Sequence, residues 1–320
     1  MSNTKPKNFA LIGASGYIAP KHLKAIADTG NQLVAALDPN DSVGVLDRFF
    51  PETKFFKEFE RFDRHLEKLR RTHDPDQCVH YTTICSPNYL HDAHACLGLR
   101  IHSHVICEKP VVINPWNIEA LQELESEYDR KVYTVLQLRH LPQLIDLRTK
   151  LLAQKNRQKV DINLSYITRR GPWYGISWKG DESKSGGVAM NIGIHFFDFL
   201  LWTFGQAERC ELHLQTPTRM AGFVELEWAR VRWFLSVDKE DLPAGYLAAG
   251  KPAYRSMTMD GQEMEFSEGF TDLHTKVYQE ILAGKGFGLT EAKPAIELVH
   301  KVRHSEILPN SANRHPILTK

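Results

Sequence analysis

Two hydrophobic grammars divide this chain, and their order constrains the fold more than any other feature. From Asn8 to Val135, short apolar runs alternate with stretches of helical period. The runs are Asn8 to Ile12 (NFALI), Gln32 to Leu37 (QLVAAL), Val79 to Ile84 (VHYTTI), His104 to Cys107 (HVIC) and Lys131 to Val135 (KVYTV). Between them, Tyr17 to Asp28, Asn88 to Leu97 and Trp116 to Tyr128 carry apolar residues at helical spacing. Continuously apolar runs suit strands covered on both faces, and strand-helix alternation makes each connection a right-handed crossover. The first part therefore reads as α/β, a doubly wound parallel sheet.

After about Gln137 the period drops to two. Val160, Ile162, Leu164 and Tyr166 alternate with Asp161, Asn163 and Ser165, and Val231, Trp233, Leu235 and Val237 follow the same rule beside Arg230, Arg232 and Ser236. That pattern predicts strands with one buried and one wetter face, hence an α+β part built on an open, mainly antiparallel sheet. Phe270 to Ala283 and Ala292 to His304 read as closing helices. The 320 residues exceed what one core supports, so the chain is expected to form two domains, 1–138 and 139–320.

Charge and cysteine content narrow the partners. Forty Lys plus Arg against 39 Asp plus Glu leave +1, which disfavours a dedicated nucleic-acid or anionic-membrane binder. Ile192 to Phe204, broken by His195 and Asp198, is too short to span a bilayer, and Lys5 and Lys7 precede only a brief apolar run, unlike a signal peptide. Five cysteines without C-x-x-C spacing read as buried thiols rather than a disulfide framework or zinc ribbon. A cytosolic protein with no nucleic-acid and no membrane partner is the expectation.

The first strand runs into Gly13-Ala14-Ser15-Gly16-Tyr17-Ile18-Ala19. In a strand-turn-helix, Gly13 permits the tight turn, Gly16 leaves room for a pyrophosphate, and Ala19 allows close helix packing, with free N–H groups at the helix start. This predicts a Rossmann dinucleotide site over residues 13 to 18; an ordinary strand-to-helix turn is the plain alternative. Asp38 ends the second strand, where a carboxylate can accept from a ribose diol and repel a 2′-phosphate, so NAD is favoured over NADP. Ser86-Pro87-Asn88 follows another strand on the ligand-binding edge, and so does Glu108-Lys109-Pro110. A Lys there can reach the cofactor cleft as a charge or proton carrier.

Gly186-Gly187 opens a segment in which Asn191, His195 and Asp198 would share one face of a helix at i, i+4 and i+7. An imidazole between an amide and a carboxylate suits acid/base work; for this segment alone a core histidine satisfied by Asp198 is the better reading, and it loses ground only beside the cofactor site. His300 and His304 lack an acidic partner in a zincin pattern, and no metal site is expected.

In combination, the strand-G-x-x-G-x-x-A turn, Ser86-Pro87-Asn88 with His91, Glu108-Lys109-Pro110 and the Gly-Gly segment ending in His195 resemble the glucose–fructose oxidoreductase/inositol dehydrogenase (Gfo/Idh/MocA) family over almost the whole chain. Gly13 to His22 (GASGYIAPKH), Leu136 to His140 (LQLRH), Ser177 to Asp181 (SWKGD), Met190 to Phe197 (MNIGIHFF) and Phe266 to His274 (FSEGFTDLH) are similar to those members that act as bacterial UDP-N-acetyl-glucosaminuronate 3-dehydrogenases in lipopolysaccharide pathways. The resemblance implies oxidation of the sugar 3-hydroxyl, with hydride passing to NAD. It implies that Gly13, Ser15, Gly16, Tyr17, Ile18, Asp38, Ser86, Pro87, Asn88, His91, Glu108, Lys109 and Gln137 hold the cofactor. Lys109 would meet the reacting hydroxyl and His195 take its proton, with either left open as the base; Asn191, which stands where many members carry Asp, would orient the substrate.

A UDP-uronic acid brings two phosphates and a carboxylate. Arg139 and the loop from Arg169 to Lys184, with Arg170, Trp173 and Lys179, offer cations and aromatic faces for it, or else form a solvated loop with anchoring tryptophans. The resemblance also implies a homo-oligomer, a dimer or a tetramer, formed through the second sheet, with Trp228 and Trp233 as contributors. Another sugar or polyol dehydrogenase of the family, or a noncatalytic NAD-binding sensor, stands as the alternative.

Overall fold

A computed structural model of the chain describes residues 5–154, 158–265 and 272–319. It has two compact units, one of residues 1–137 with 272–293, the other of 138–271 with 294–320. The expected boundary at 138/139 falls beside the first break, but the stretch 272–293, expected in the second domain, belongs with the first unit. Phe266 to Thr271, part of a quoted string, lie outside the described residues.

The first unit is a parallel sheet in the order β3-β2-β1-β4-β5-β6. Its strands are β1 (Asn8–Ile12), β2 (Gln32–Leu37), β3 (Lys54–Phe56), β4 (Tyr81–Ile84), β5 (His104–Cys107) and β6 (Val132–Thr134). Every residue of β1 is buried, as a central strand covered on both faces requires. One face packs Phe9 and Leu11 against Leu23 and Ile26 of helix Ala19–Asp28 and Val277, Tyr278 and Ile281 of helix Leu273–Leu282. The opposite face packs Ala10 and Ile12 with Phe62 and Leu66 of helix Phe59–Arg71. Neither β3 nor that helix stands out in the sequence, because Lys54–Phe56 is only three residues and the helix is mostly charged.

The second unit carries β7 (Val160–Thr168), β8 (Ala207–Gln215), β9 (Arg219–Leu226), β10 (Ala229–Ser236), β11 (Ala253–Met259) and β12 (Gln262–Glu265), in the order β12-β11-β7-β10-β9-β8. All its neighbouring pairs are antiparallel except β7 with β10, which run parallel with Val231 opposite Ile162. These are the two segments whose alternation pointed to antiparallel pairing. Alternation reports one covered face, not strand direction, and both central strands have that. Trp233, expected at a subunit contact, is instead fully buried, edge-on to Phe197 at 5.3 Å. By length and composition the helical run Glu182–Phe204 could cross a membrane, contrary to expectation, yet 83% of its apolar window is buried inside the protein, as in a core helix.

Candidate active site

In the first unit the expected cofactor residues lie after the carboxyl ends of parallel strands: 13–18 after β1, Asp38 after β2, Ser86–Asn88 after β4, Glu108 and Lys109 after β5, Gln137 after β6. β1 sits between β2 and β4, so chain order reverses there, and an open α/β sheet binds its ligand at such a switch point. Gly13 is indispensable to the turn. Its φ is +94°, and a Cβ would stand 2.6 Å from the Cys85 carbonyl carbon. The Gly13 N–H donates to the Leu37 carbonyl at 2.8 Å. Ser15, Gly16 and Ile18 are partly exposed and Tyr17 is 85% exposed, leaving the turn's outer side open to a ligand.

Asp38 is buried and held in place: its Oδ2 accepts from the Ser15 N–H and its Oδ1 from the Asn40 N–H, both at 2.9 Å. Each oxygen keeps a further lone pair, as a diol needs. This chain's residues therefore fit a dinucleotide. Buried His91 lies between the carbonyl oxygens of Ser86 (Nε2, 2.8 Å) and Pro110 (Nδ1, 2.7 Å), after β4 and after β5; its neutral ring donates to one of them at a time. Burial pulls its pKa down against the opposing pull of the two carbonyls. His94 hydrogen-bonds the Ser86 hydroxyl at 2.8 Å, and desolvation lowers its pKa to about 4.

A cluster that the sequence analysis left unassigned surrounds Glu108. Its Oε1 receives the Nε2 atoms of His22 at 2.9 Å and His274 at 3.0 Å, and its Oε2 accepts the Lys109 N–H at 3.2 Å. His22 Nδ1 meets the Tyr278 hydroxyl, which also meets Thr83 Oγ1, both at 2.9 Å. Burial opposes ionisation of Glu108, but the bonds from His22 and His274 hold its pKa well below the ordinary range. Desolvation lowers the pKa of His22. Both histidines stood in the quoted strings GASGYIAPKH and FSEGFTDLH; only the fold shows that they meet.

In the second unit the expected trio on one helical face separates into different tasks. Ala189–Gly193 is π-helical before the α-helix Ile194–Phe204, which breaks the assumed 3.6-residue register. Asn191 donates its amide to the Tyr174 hydroxyl at 3.0 Å. Asp198 accepts the Arg139 fork, Nε to Oδ2 at 3.0 Å and Nη2 to Oδ1 at 2.7 Å. The Arg139 fork expected to hold a substrate anion is thus matched to an internal carboxylate, and Asp198 is not reserved for His195. His195 itself is partly exposed.

Lys179 lies over the rings of Trp173 (4.9 Å) and Trp178 (5.4 Å), and Trp173 is 49% exposed. Arg170 carries a buried Nε without a hydrogen-bond partner among the described residues. Among the described residues, Arg303, which carries no signal in the sequence, leaves Nε and Nη1 without a hydrogen-bond partner and pairs with Glu182 Oε1 at 3.4 Å. Spare N–H donors on buried guanidinium groups suit an anionic ligand.

The sequence profiles of the Gfo/Idh/MocA oxidoreductases match the chain twice, as the NAD-binding Rossmann fold over residues 7–136 and as the C-terminal alpha/beta domain over 158–248. The chain belongs to this family. Its first unit is an NAD-binding domain, and the protein is an NAD-dependent oxidoreductase. The WlbA (WbpB) dehydrogenase of Thermus thermophilus, solved with NAD and alpha-ketoglutarate, is 52% identical, with 97% of this chain and 99% of that one covered and a TM-score of 0.93. The same enzyme solved with NAD and UDP-GlcNAcA aligns at 51% identity over the same shares of the two chains, with a TM-score of 0.92. Glucose-6-phosphate 3-dehydrogenase of Bacillus subtilis is 24% identical over 205 residues, 62% of this chain and 54% of that protein. The chain spans about half the length of the curated relatives it matches.

Proposed function

We propose that this chain oxidises the 3-hydroxyl of UDP-N-acetyl-D-glucosaminuronate to the 3-keto sugar, using NAD, in nucleotide-sugar biosynthesis for lipopolysaccharide O-antigen. The observation that carries the reading is 51% identity across 97% of the chain to an enzyme crystallised with NAD and UDP-GlcNAcA. Bound NAD would supply the acceptor for the hydride that leaves C3. Gly13 to Ile18 and Asp38 would hold it. The Lys109 ammonium is suited to hydrogen-bond the hydroxyl oxygen and to stabilise negative charge there as the proton leaves. The His195 imidazole is suited to take that proton at a ring nitrogen. Asn191, held by Tyr174, would orient the sugar. Arg170, Lys179 and Trp173 would meet the diphosphate, carboxylate and uracil, and the spare donors of Arg170 and Arg303 favour a polyanionic ligand.

The relative crystallised with alpha-ketoglutarate supports a second half-reaction. In it, hydride and a proton pass to the 2-keto group, giving 2-hydroxyglutarate and restoring NAD. We place the protein in the cytoplasm, where its five unpaired cysteines stay reduced, and as a homo-oligomer, a dimer or tetramer, formed through the second sheet.

Purified protein incubated with UDP-GlcNAcA, NAD and alpha-ketoglutarate should yield a product two mass units lighter and an equal amount of 2-hydroxyglutarate. Without alpha-ketoglutarate, turnover should stop near one NADH per subunit. If the sugar binds and no oxidised product forms under either condition, the protein is a sensor rather than this dehydrogenase.

A further inference from the structure

We propose that Glu108, clamped by His22 and His274, is a positioning residue that fixes the backbone from which Lys109 reaches the reacting hydroxyl. The inference rests on the reading of Lys109 given above. It makes the late segment carrying His274 and Tyr278 a functional part of the first unit.

The hydrogen-bond directions can be assigned from chemistry alone. A carboxylate only accepts, so both imidazoles present an N–H at Nε2 to Glu108 Oε1. His22 Nδ1 then bears a lone pair and accepts from the Tyr278 O–H, and the Tyr278 oxygen accepts from the Thr83 hydroxyl. Both ring nitrogens of His22, both oxygens of Glu108 and the hydroxyls of Tyr278 and Thr83 thus each have a partner. The chain of bonds runs from β4 through helix Leu273–Leu282 and helix Ala19–Asp28 to the residue after β5. His22, Thr83 and Tyr278 are fully buried, and His274 and Glu108 are nearly so.

Such a charge adds little to the fold itself, because well-packed apolar groups fill a core at lower cost than a buried carboxylate. Its remaining oxygen shows what it does. Oε2 holds the Lys109 N–H, while the Glu108 N–H is bonded to the Ile84 carbonyl at 3.0 Å. On the far side, Pro110 restricts the preceding residue, and its own carbonyl lies 2.7 Å from His91 Nδ1. Lys109 is therefore bracketed, and its Cα cannot shift without breaking bonds on one side. A misplacement of about 1 Å is enough to cost about a hundredfold in rate. The three ligand atoms also lie within 4.8 Å of one another, a spacing that a divalent cation could use. A cation would have to displace both Nε2 protons, which the hydrogen-bonded arrangement retains.

The test compares His274→Leu, which removes the donor, with His274→Gln, which keeps an N–H near the Nε2 position, and with Tyr278→Phe, which breaks the Thr83 and His22 contacts at constant shape. Two readouts are taken: kcat with UDP-GlcNAcA beside the Kd for NADH, and hydrogen exchange at the Lys109 amide in protein without sugar substrate. His274→Leu should lower kcat about tenfold to a hundredfold with the Kd for NADH within about threefold, and should speed Lys109 exchange at least about tenfold. His274→Gln should restore both to within about threefold of wild type, and Tyr278→Phe should give a smaller loss of the same kind. If His274→Leu does not fold, Tyr278→Phe carries the decision by the same two readouts. The proposal is overturned if Lys109 exchange is unchanged, if Gln is as damaging as Leu, if kcat and NADH affinity fall in proportion, or if chelation lowers and zinc restores activity. A wild-type protein inert toward UDP-GlcNAcA would sink the substrate reading alone, because the exchange measurement decides the clamp without substrate.

Discussion

Two buried carboxylates, one in each unit, meet their partners in opposite ways. Glu108 faces two imidazole N–H groups and a backbone amide; burial opposes its ionisation, but the bonds from His22 and His274 hold its pKa well below the ordinary range. Asp198 faces the full charge of Arg139 in a two-bond fork, yet burial pushes its pKa up against that pull. In both, burial opposes ionisation; at Glu108 the bonds and charges of His22 and His274 outweigh it, and at Asp198 those of Arg139 do not. Glu108 gathers three N–H donors on its two oxygens, whereas Asp198, almost fully enclosed, has one guanidinium to offset its lost hydration. The first arrangement sits beside Lys109, where geometry matters to chemistry. The second joins Arg139 to Asp198 of helix Ile194–Phe204 inside the second unit.

The sharpest way to break the comparison is Asp198→Ala. It removes the carboxylate that takes both bonds of the Arg139 fork and should cost about 3–5 kcal/mol in denaturant unfolding at pH 7. An unfolding midpoint equal to wild type would show that Arg139 finds another partner.

Acid should separate the two sites next. His94 in the first unit and His315 in the second both have pKa values lowered to about 4, chiefly by burial. Between about pH 6.5 and 4 the unfolded chain binds more protons at these histidines than the folded one, so stability drops as pH is lowered, by about 3 kcal/mol for each. Glu108, whose folded pKa is depressed, adds a loss of the same sign as pH drops below about 4.5 and through that pKa. Asp198, whose folded pKa is raised, acts in the opposite sense, since the folded chain binds the proton first. Unfolding free energies at pH 7 and 5 should show the fall, and His315→Phe should flatten it; an equal slope in that variant would refute the assignment.

Glu108→Gln comes third. It keeps the shape but turns an acceptor-only group into one that also donates, and should cost about 1–3 kcal/mol in stability. Its kcat should fall by far more than the Kd for NADH changes. The smallest effect belongs to the double replacement Arg139→Met with Asp198→Leu, which removes both charges together. Stability should then stay within about 1 kcal/mol of wild type or rise, as expected of an ion pair that serves only the fold. A large loss would assign the pair a further task.

The parallel sheet was legible because its strands are apolar on both faces, and Gly13 to Ala19 was legible because strand, glycine and small residue follow in fixed order. Lys109 and His195 were legible as candidates through the motifs around them. The Glu108 cluster was not: Glu108 stood out in its motif, but its partners His22, Thr83, His274 and Tyr278 are scattered over 257 positions, and each alone looks like an ordinary core or surface residue. The Arg139–Asp198 fork was hidden for the same reason, since a guanidinium looks equally available to a substrate and to a carboxylate 59 residues away.

By itself the sequence determined the two grammars, the dinucleotide turn and the family, because hydrophobic period and short-range spacing are written in consecutive residues. The tertiary structure alone decided that 272–293 returns to the first unit, that β7 and β10 run parallel, and which buried charges are paired. Those outcomes depend on which distant groups share a volume too small for water, and there every donor and acceptor must find a partner or bear the cost of desolvation.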